Sequence, residues 1–117
     1  MAERILIVDD DAAIREFVEM ALQDEGYEVL IAEDGLQALN IVKRLPVDLI
    51  VLDMRMPVMD GFAFLSAYEQ VETQRAPVIA ISANQRAIAG TSVDVVDFIP
   101  KPFNLDDLLA RISEQFS

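Results

Sequence analysis

Residues 5–10 of the chain read ILIVDD, so four consecutive aliphatic side chains are followed directly by Asp9 and Asp10. Residues 49–53 repeat this pattern as LIVLD, which ends on Asp53. Uninterrupted apolar runs of this length are typical of parallel strands that are buried on both faces. Ligands bind at the carboxyl ends of the strands in an open parallel sheet. We therefore expect the three aspartates to lie together at a ligand-binding edge.

The chemistry of these three acids indicates a metal site. Carboxylates that lie close together repel one another, and a cation that joins them stabilises the arrangement. The sequence contains no histidine and no cysteine, which excludes a Ser-His-Asp relay, thiolate chemistry, disulfides and most zinc sites. The remaining oxygen ligands favour Mg²⁺, Mn²⁺ or Ca²⁺.

Length and composition predict one soluble globular domain. A chain of 117 residues can build one hydrophobic core but is too short for two, so we expect a single domain over residues 1–117. With 53% hydrophobic and 26% charged residues, the composition is globular rather than disordered. No apolar run approaches the roughly 20 residues that span a bilayer, and the first residues lack a signal-peptide pattern. We predict a cytoplasmic protein that does not bind membranes.

The charge balance bears on the class of partner. The formal net charge is −12, with only nine lysine and arginine residues. Affinity for nucleic acid depends on basic side chains that neutralise phosphates, so we expect no direct contact with nucleic acid. The predicted partners are proteins that present neutral or basic surfaces.

Strand-like runs alternate with amphipathic stretches along the whole chain, which predicts an α/β domain with a parallel sheet. The five predicted strands are Arg4–Val8, Glu28–Ala32, Leu49–Leu52, Val78–Ser82 and a run near Val95–Ile99. Right-handed crossovers restrict the topology. The common five-stranded arrangement is the doubly wound, flavodoxin-like order 2-1-3-4-5 with helices on both faces.

Four amphipathic stretches predict helices that each bury one side. The positions that we expect to be buried are Ile14, Phe17, Val18, Ala21, Leu22, Ala38, Leu39, Val42, Phe62, Leu65, Tyr68, Leu105, Leu108, Leu109, Ile112 and Phe116. Asp11 is the expected N-cap of the first helix and Gly26 its stop. The second helix should run from Gly35 to Arg44. In the fourth crossover, residues 84–90 are long enough for two turns of helix and residues 91–94 have no helical period, so we expect a short or irregular helix there.

Two further functional groups follow strands at the same predicted edge. Ser82 ends the fourth strand, and Lys101 follows the fifth. In the order 2-1-3-4-5 the first and third strands are neighbours. Three carboxylates, one hydroxyl and one ammonium group should therefore meet at the carboxyl edge of the sheet.

Four motifs of the chain resemble the receiver domain of two-component response regulators, which has a CheY-like fold. They are residues 5–11 (ILIVDDD), 52–61 (LDMRMPVMDG), 81–83 (ISA) and 101–103 (KPF). Their order and spacing extend the resemblance over essentially the whole chain. It implies Mg²⁺-dependent phosphoryl transfer from a histidine kinase or a histidine phosphotransfer protein, with Mn²⁺ as an alternative ion. It also implies a switch that catalyses its own phosphorylation and dephosphorylation rather than a conventional enzyme.

Carried over by position, the resemblance implies a role for each residue of the site. Asp53 is the phospho-acceptor, Asp10 and Asp53 are direct metal ligands, and Asp9 binds the metal through water. The backbone carbonyl of Arg55 is a further ligand, and Lys101 pairs with a phosphate oxygen. These assignments agree with the demand of phosphoryl transfer for positioning and charge neutralisation.

The resemblance also implies how phosphorylation becomes a signal. Ser82 is the switch hydroxyl and Phe98 the switch aromatic, which turns inward when Ser82 moves toward the phosphate. Arg55 and Asn84 lie where this family tunes the lifetime of the phosphate, and the Lys101-Pro102 bond is expected to be cis. The changed face comprises the fourth strand, the fourth crossover, the fifth strand and the last helix. That face binds a downstream protein target or output domain, and a homodimer through it is possible.

Three departures from the family pattern affect the switch. Ser82 stands where threonine is common, Phe98 where tyrosine is common, and the segment between Ser82 and Lys101 is about one helical turn short. Two other functions stay open. One is a receiver-like interaction module that signals without phosphate. The other is a haloacid dehalogenase-type phosphatase in which Asp9, the first acid of an Asp-x-Asp motif, is the nucleophile.

Overall fold

The computed structural model of the protein describes residues 2–71, 75–83, 92 and 94–117. The strands in this part of the chain are β1 (Arg4–Val8), β2 (Glu28–Ala32), β3 (Leu49–Asp53), β4 (Val78–Ser82) and β5 (Val95–Pro100). The helices are α1 (Ala12–Asp24), α2 (Gly35–Arg44), α3 (Gly61–Tyr68) and α4 (Leu105–Gln115). Every predicted strand is present with its ends within one residue. The expected short helix of the fourth crossover, at residues 84–90, lies outside the described residues.

All five strands pair in parallel, in the order β2-β1-β3-β4-β5. The predicted flavodoxin-like topology is therefore confirmed. Val8 of β1 pairs with Leu52 of β3, so the next residues, Asp9 and Asp53, lie at the same level of the sheet. Ser82 pairs with Pro100 at the ends of β4 and β5, which places Lys101 at that edge as well.

Alternate residues of the buried strands face two separate hydrophobic clusters, one on each side of the sheet. Leu6 and Val8 belong to the cluster that packs under α2 and α3. Ile5 and Ile7 belong to the cluster that packs under α1 and α4. This alternation explains why residues 5–8 of β1 and residues 49–52 of β3 are all apolar, because both faces of these strands are covered there.

The ends of the helices follow from local chemistry. Asp11 caps α1, since its Oδ1 accepts hydrogen bonds from the backbone N–H groups of Ala13 and Ile14 at 2.9 and 3.3 Å. Gly26 follows the end of α1 with φ +92°, a conformation that glycine adopts at little cost. The predicted cap and stop of α1 are both confirmed.

The predicted core needs one correction. Phe17 shares the apolar stripe of α1 with Val18 and Leu22, but it is 59% exposed whereas those two are buried. The stripe is wider than the surface that the sheet covers, and Phe17 lies at its outer margin. In α3, Phe64 is fully buried and stacks on Tyr68 with ring centroids 5.3 Å apart. The sequence analysis did not include Phe64 among the buried residues.

Two further observations concern the backbone. The Lys101-Pro102 peptide bond is cis, as expected from the resemblance. Within the described ranges, no helix combines the length and the apolar character that crossing a membrane requires.

Candidate functional site

Three carboxylates meet at the carboxyl edge of the sheet. Asp9, Asp10 and Asp53 each offer one oxygen atom, and these atoms all lie within 4.8 Å of one another. The three come together because β1 and β3 are neighbours and end at the same level. The sequence prediction of a three-acid cluster is confirmed in its geometry.

The acids differ in burial. Asp9 and Asp53 are both 2% exposed, whereas Asp10 is exposed. The cluster is therefore largely buried, although it lies at the open end of the sheet. A cation can reach it from the side on which Asp10 faces solvent.

Burial changes the acidity of Asp9. Desolvation raises the pKa of Asp9 from its ordinary 3.8 to about 6, and the negative charges of Asp53 and Asp10 act in the same direction. The backbone N–H of Asp11, which donates to Asp9 Oδ1 at 2.9 Å, lowers the pKa in part. Ionisation of the Asp9 carboxyl group is therefore unfavourable unless a positive charge lies nearby.

Both oxygens of Asp53 accept hydrogen bonds. Oδ1 accepts from the backbone N–H of Arg55 at 3.1 Å, and Oδ2 accepts from Lys101 Nζ at 2.9 Å. Burial lowers the pKa of Lys101, but the hydrogen bond and the charges of the acids raise it by more. The lysine is thus a stable ammonium ion at neutral pH, and it offsets part of the negative charge of the cluster.

The arrangement suits a hard divalent cation. Mg²⁺ is bound in proteins by one or two carboxylates together with several waters, and this site combines two recessed acids with one exposed acid. Histidine and cysteine are absent from the whole sequence, so softer metals lack their preferred ligands. The donor set therefore fits Mg²⁺.

The predicted switch residues lie on β4 and β5. Ser82 is buried at the end of β4, and its carbonyl accepts a hydrogen bond from the backbone N–H of Lys101 at 3.1 Å. Phe98 pairs with Ala80 on the edge strand β5 and is 36% exposed. The ring of Phe98 thus lies at the surface and not in the core. Asn84, predicted to tune phosphate lifetime, lies outside the described residues.

Phe98 is also tied to the last helix. Arg111 of α4 donates through Nη1 to the Phe98 carbonyl at 3.2 Å and to Asp97 Oδ1 at 2.8 Å. Arg111 was not predictable from the sequence, because a lone arginine on a helix has no sequence pattern that reveals its partner on another element.

Gly61, the first residue of α3, packs closely against Met54 in the loop that follows β3. A Cβ atom on Gly61 would lie 2.6 Å from Met54 Sδ and 2.7 Å from Met54 Cα, with the Asp53 carbonyl at 3.1 Å. Asp60 caps α3 by accepting a hydrogen bond from the Ala63 N–H at 2.8 Å. The Asp60-Gly61 pair is therefore a helix start that also lets α3 approach the backbone of Asp53.

Known proteins resemble the chain in sequence and in structure. The family model of the response regulator receiver domain matches residues 5–113. Response regulator GtcR from Aneurinibacillus migulanus is 39% identical to the chain, over 98% of the chain and 48% of that protein. The chain thus spans about half the length of the curated relatives it matches.

Two solved structures extend the comparison to the fold. Chemotaxis response regulator CheY4 of Vibrio cholerae superposes with a TM-score of 0.88 at 34% identity, covering 98% of this chain and 99% of that one. The receiver domain of the sensor histidine kinase PA1611 from Pseudomonas aeruginosa gives a TM-score of 0.86 at 30% identity, with 100% of both chains covered. That structure has a magnesium ion coordinated in its active-site cleft.

Proposed function

Because this chain belongs to the response regulator receiver domain family of two-component systems, we propose that it accepts a phosphoryl group on Asp53 in a Mg²⁺-dependent reaction. The proposed donor is a histidine kinase or a histidine phosphotransfer protein. One observation carries the proposal: the Asp53 carboxylate lies 2.9 Å from the ammonium group of Lys101 and offers an oxygen within 4.8 Å of oxygens of Asp9 and Asp10.

The proposed reaction is a direct transfer between two side chains. A bond forms between an Asp53 carboxylate oxygen and phosphorus, the phosphorus–nitrogen bond of a phosphohistidine breaks, and the imidazole leaves with the electron pair and takes up a proton. Such a transfer depends on in-line positioning and on neutralising the oxygens of the phosphoryl group. A bound Mg²⁺ would supply further neutralisation and orientation of these oxygens.

Each residue of the site has a part in this reaction. Asp10 and Asp53 are proposed as direct ligands of Mg²⁺, Asp9 as a ligand through water, and the Arg55 carbonyl as a further ligand. Lys101 would exchange its hydrogen bond with Asp53 Oδ2 for one with a phosphoryl oxygen. Its charge therefore stabilises the acid before the transfer and the phosphate after it.

The proposed output is a change of surface around β5. The Ser82 hydroxyl would donate to the phosphate, and Phe98 would turn from the surface into the space that Ser82 vacates. A shift from 1:99 to 99:1 between two such states requires about 5.5 kcal/mol of preference. A charge-assisted hydrogen bond and a metal contact contribute energies of that order.

The remaining proposals concern context. Residues 1–117 would act as one receiver domain, in the cytoplasm, with Mn²⁺ able to replace Mg²⁺. Its downstream partner would be a protein target or an output domain that recognises the face formed by β4, β5 and α4. The same face is the proposed surface for homodimer formation.

Labelling with acetyl phosphate, read by intact mass, tests the assignment of the acceptor. We expect the wild type to gain one phosphoryl group when Mg²⁺ is present, and Asp53→Asn to gain none. Asp9→Asn should still be labelled at high Mg²⁺ concentration. If Asp9→Asn abolished labelling and Asp53→Asn did not, Asp9 would be the nucleophile and the phosphatase alternative would be correct. If the folded wild type gained no label at all, an interaction module that signals without phosphate would be favoured instead.

A further inference from the structure

We propose that Arg15 is a positioning residue for the metal-binding acids Asp9 and Asp10, an inference that rests on the proposed function of this site. Arg15 lies in the first half of α1, six residues after Asp9. Its guanidinium group turns back to the loop between β1 and α1, where Nη1 donates to the Asp9 backbone carbonyl at 2.7 Å.

The contact is short and sheltered from solvent. The Arg15 side chain is only 12% exposed, while Glu33, its ion-pair partner at 3.7 Å, is 63% exposed. A long arginine side chain that is buried to this extent loses conformational freedom, so its contacts must compensate for that loss. The hydrogen bond to the Asp9 carbonyl is the shorter of the two contacts and lies on the side of the site.

Asp9 is thereby fixed at three atoms. Its backbone N–H donates to the Ala32 carbonyl of β2 at 3.1 Å, and its side-chain Oδ1 accepts from the Asp11 N–H at 2.9 Å. The Arg15 hydrogen bond fixes the third atom, the carbonyl oxygen. A carbonyl group that follows the end of a strand has no partner in the hydrogen-bond ladder of the sheet. Arg15 supplies the hydrogen-bond donor that the Asp9 carbonyl needs.

The carbonyl also determines where Asp10 lies. The peptide unit from Asp9 to Asp10 is planar, so fixing its oxygen fixes the position of the Asp10 nitrogen and Cα. Asp10 is the exposed acid of the cluster, and an exposed side chain receives little support from packing. Groups that orient metal ligands from behind commonly change metal affinity by 10- to 100-fold when removed.

Replacing Arg15 alone would also change the net charge near the site, and a second substitution at Glu33 compensates for that change. The double substitution Arg15→Met with Glu33→Gln removes one positive and one negative charge, so the net charge near the site is unchanged. Glu33→Gln alone is the matched control, because it breaks the ion pair and leaves the hydrogen bond to Asp9. Arg15→Lys retains the charge but not the planar fork of donors.

Mg²⁺ affinity measured by calorimetry tests the proposal. We expect the dissociation constant of the double variant to rise on the order of tenfold, and that of Glu33→Gln to stay within about twofold. Arg15→Lys should lie between the two, and it decides the matter if the double variant does not fold. A folded Arg15 variant that binds Mg²⁺ as the wild type does would overturn the proposal.

A second measurement separates positioning from a merely structural role. The initial rate of labelling by acetyl phosphate is followed against Mg²⁺ concentration. We expect the variants to reach the wild-type rate at saturating Mg²⁺ and to need more Mg²⁺ for half of it. A lower thermal midpoint with an unchanged Mg²⁺ dependence would refute positioning. If the wild type bound Mg²⁺ without being labelled, the proposed function would fail while the affinity test of Arg15 remained valid.

Discussion

Lys101 Nζ lies 2.9 Å from Asp53 Oδ2 and so joins the end of β5 to the end of β3. Asp53 is 2% exposed, and the Lys101 side chain is 30% exposed. A buried carboxylate without its partner bears a large desolvation cost. This pair therefore makes the free energy of unfolding depend on whether another cation is present.

We expect Lys101→Met to lower the free energy of unfolding without metal by about 1 to 3 kcal/mol, since it leaves a buried charged acceptor without its partner. The loss should shrink when Mg²⁺ is added. Urea unfolding with and without Mg²⁺ measures both values, and the double variant Lys101→Met with Asp53→Asn should recover stability.

The contribution of the Lys101–Asp53 pair to stability should be complete below the ordinary lysine pKa of 10.5. It should disappear as pH rises above the higher pKa of Lys101 in the folded state. Equal stability of Lys101→Met and the wild type at neutral pH would contradict this reading.

The raised pKa of Asp9 predicts an unusual dependence of stability on pH. Its pKa is about 6 in the folded state against 3.8 in the unfolded chain, so between these values the folded state retains a proton that the unfolded state has lost. The contribution of Asp9 to stability without metal therefore falls as pH rises through this range. Two pKa units correspond to roughly 3 kcal/mol. We expect a smaller effect, about 1 to 2 kcal/mol, because solvent and salt screen the site.

Asp9→Asn tests this sign directly. Urea unfolding without metal should show the variant to be more stable than the wild type above pH 6 and equal to it at pH values below 3.8. Glu16→Gln, which removes an exposed charge on α1, is the control for the change in net charge. Mg²⁺ affinity of the wild type should fall below pH 6, because protons compete for the ligand oxygens. A wild type that is more stable than Asp9→Asn above pH 6 without metal would show that the sign is wrong.

Val58, in the loop between β3 and α3, has a strained backbone. It has φ +69°, and the Met59 N–H donates to the Pro57 carbonyl at 2.8 Å. These features describe the strained form of the three-residue γ-turn. A β-branched residue in this region costs roughly 1–2 kcal/mol. Glycine removes this cost, but it loses more conformational entropy on folding, which offsets part of the gain in stability.

We therefore expect Val58→Gly to raise the free energy of unfolding by about 0.5 to 1 kcal/mol. Val96→Gly, an exposed valine within strand β5, is the control and should lower it, because glycine weakens a strand. Thermal unfolding of both variants by circular dichroism gives the comparison. A loss of stability in both would argue against strain at Val58.

Gly61 links the stability of α3 to the position of Asp53. In Gly61→Ala the new methyl group would lie 2.7 Å from Met54 Cα and 3.1 Å from the Asp53 carbonyl, so the backbone must move. We expect a loss of about 1 to 3 kcal/mol together with slower labelling by acetyl phosphate.

Gly26→Ala is the control for Gly61→Ala. It introduces strain at φ +92° with no neighbour within 4 Å of the added carbon, and it lies far along the chain from the site. It should lower stability while leaving the labelling rate unchanged. Equal labelling rates in both variants would show that the position of Asp53 does not depend on Gly61.

Arg55 should affect the lifetime of the phosphate. Its backbone N–H contacts Asp53 Oδ1 at 3.1 Å, and Arg55 is exposed two residues after the proposed acceptor. Truncation leaves the backbone contact in place and opens the approach for water, so we expect Arg55→Ala to dephosphorylate severalfold faster. Decay of labelled protein after removal of acetyl phosphate gives the rate, with the exposed Arg44→Ala as control. An unchanged half-life would remove this role from Arg55.

The cluster of acids shows why much of this site was predictable. Aliphatic runs buried on both faces identified β1 and β3, and the crossover rule made them neighbours. Asp9, Asp10 and Asp53 then had to meet, since parallel strands end at one edge. The N-cap role of Asp11 was predictable for a similar reason, because capping involves only adjacent residues.

Phe17 and Arg15 mark the limit of this reasoning. The period of α1 places Phe17 on the apolar side, but exposure depends on how far the sheet and α4 extend beneath that side. Arg15 carries no pattern that distinguishes it from a solvated arginine, and only the fold brings it to the Asp9 carbonyl.

By itself the sequence determined the strand order and the gathering of the acids, because these follow from hydrophobic burial, chain direction and crossover handedness. Tertiary structure alone decided the pairing of Lys101 with Asp53 and the raised pKa of Asp9. These properties depend on distances of a few ångströms between atoms far apart in the chain, or on how deeply a group is shielded from water. Such distances and shielding are set only when all the elements pack together.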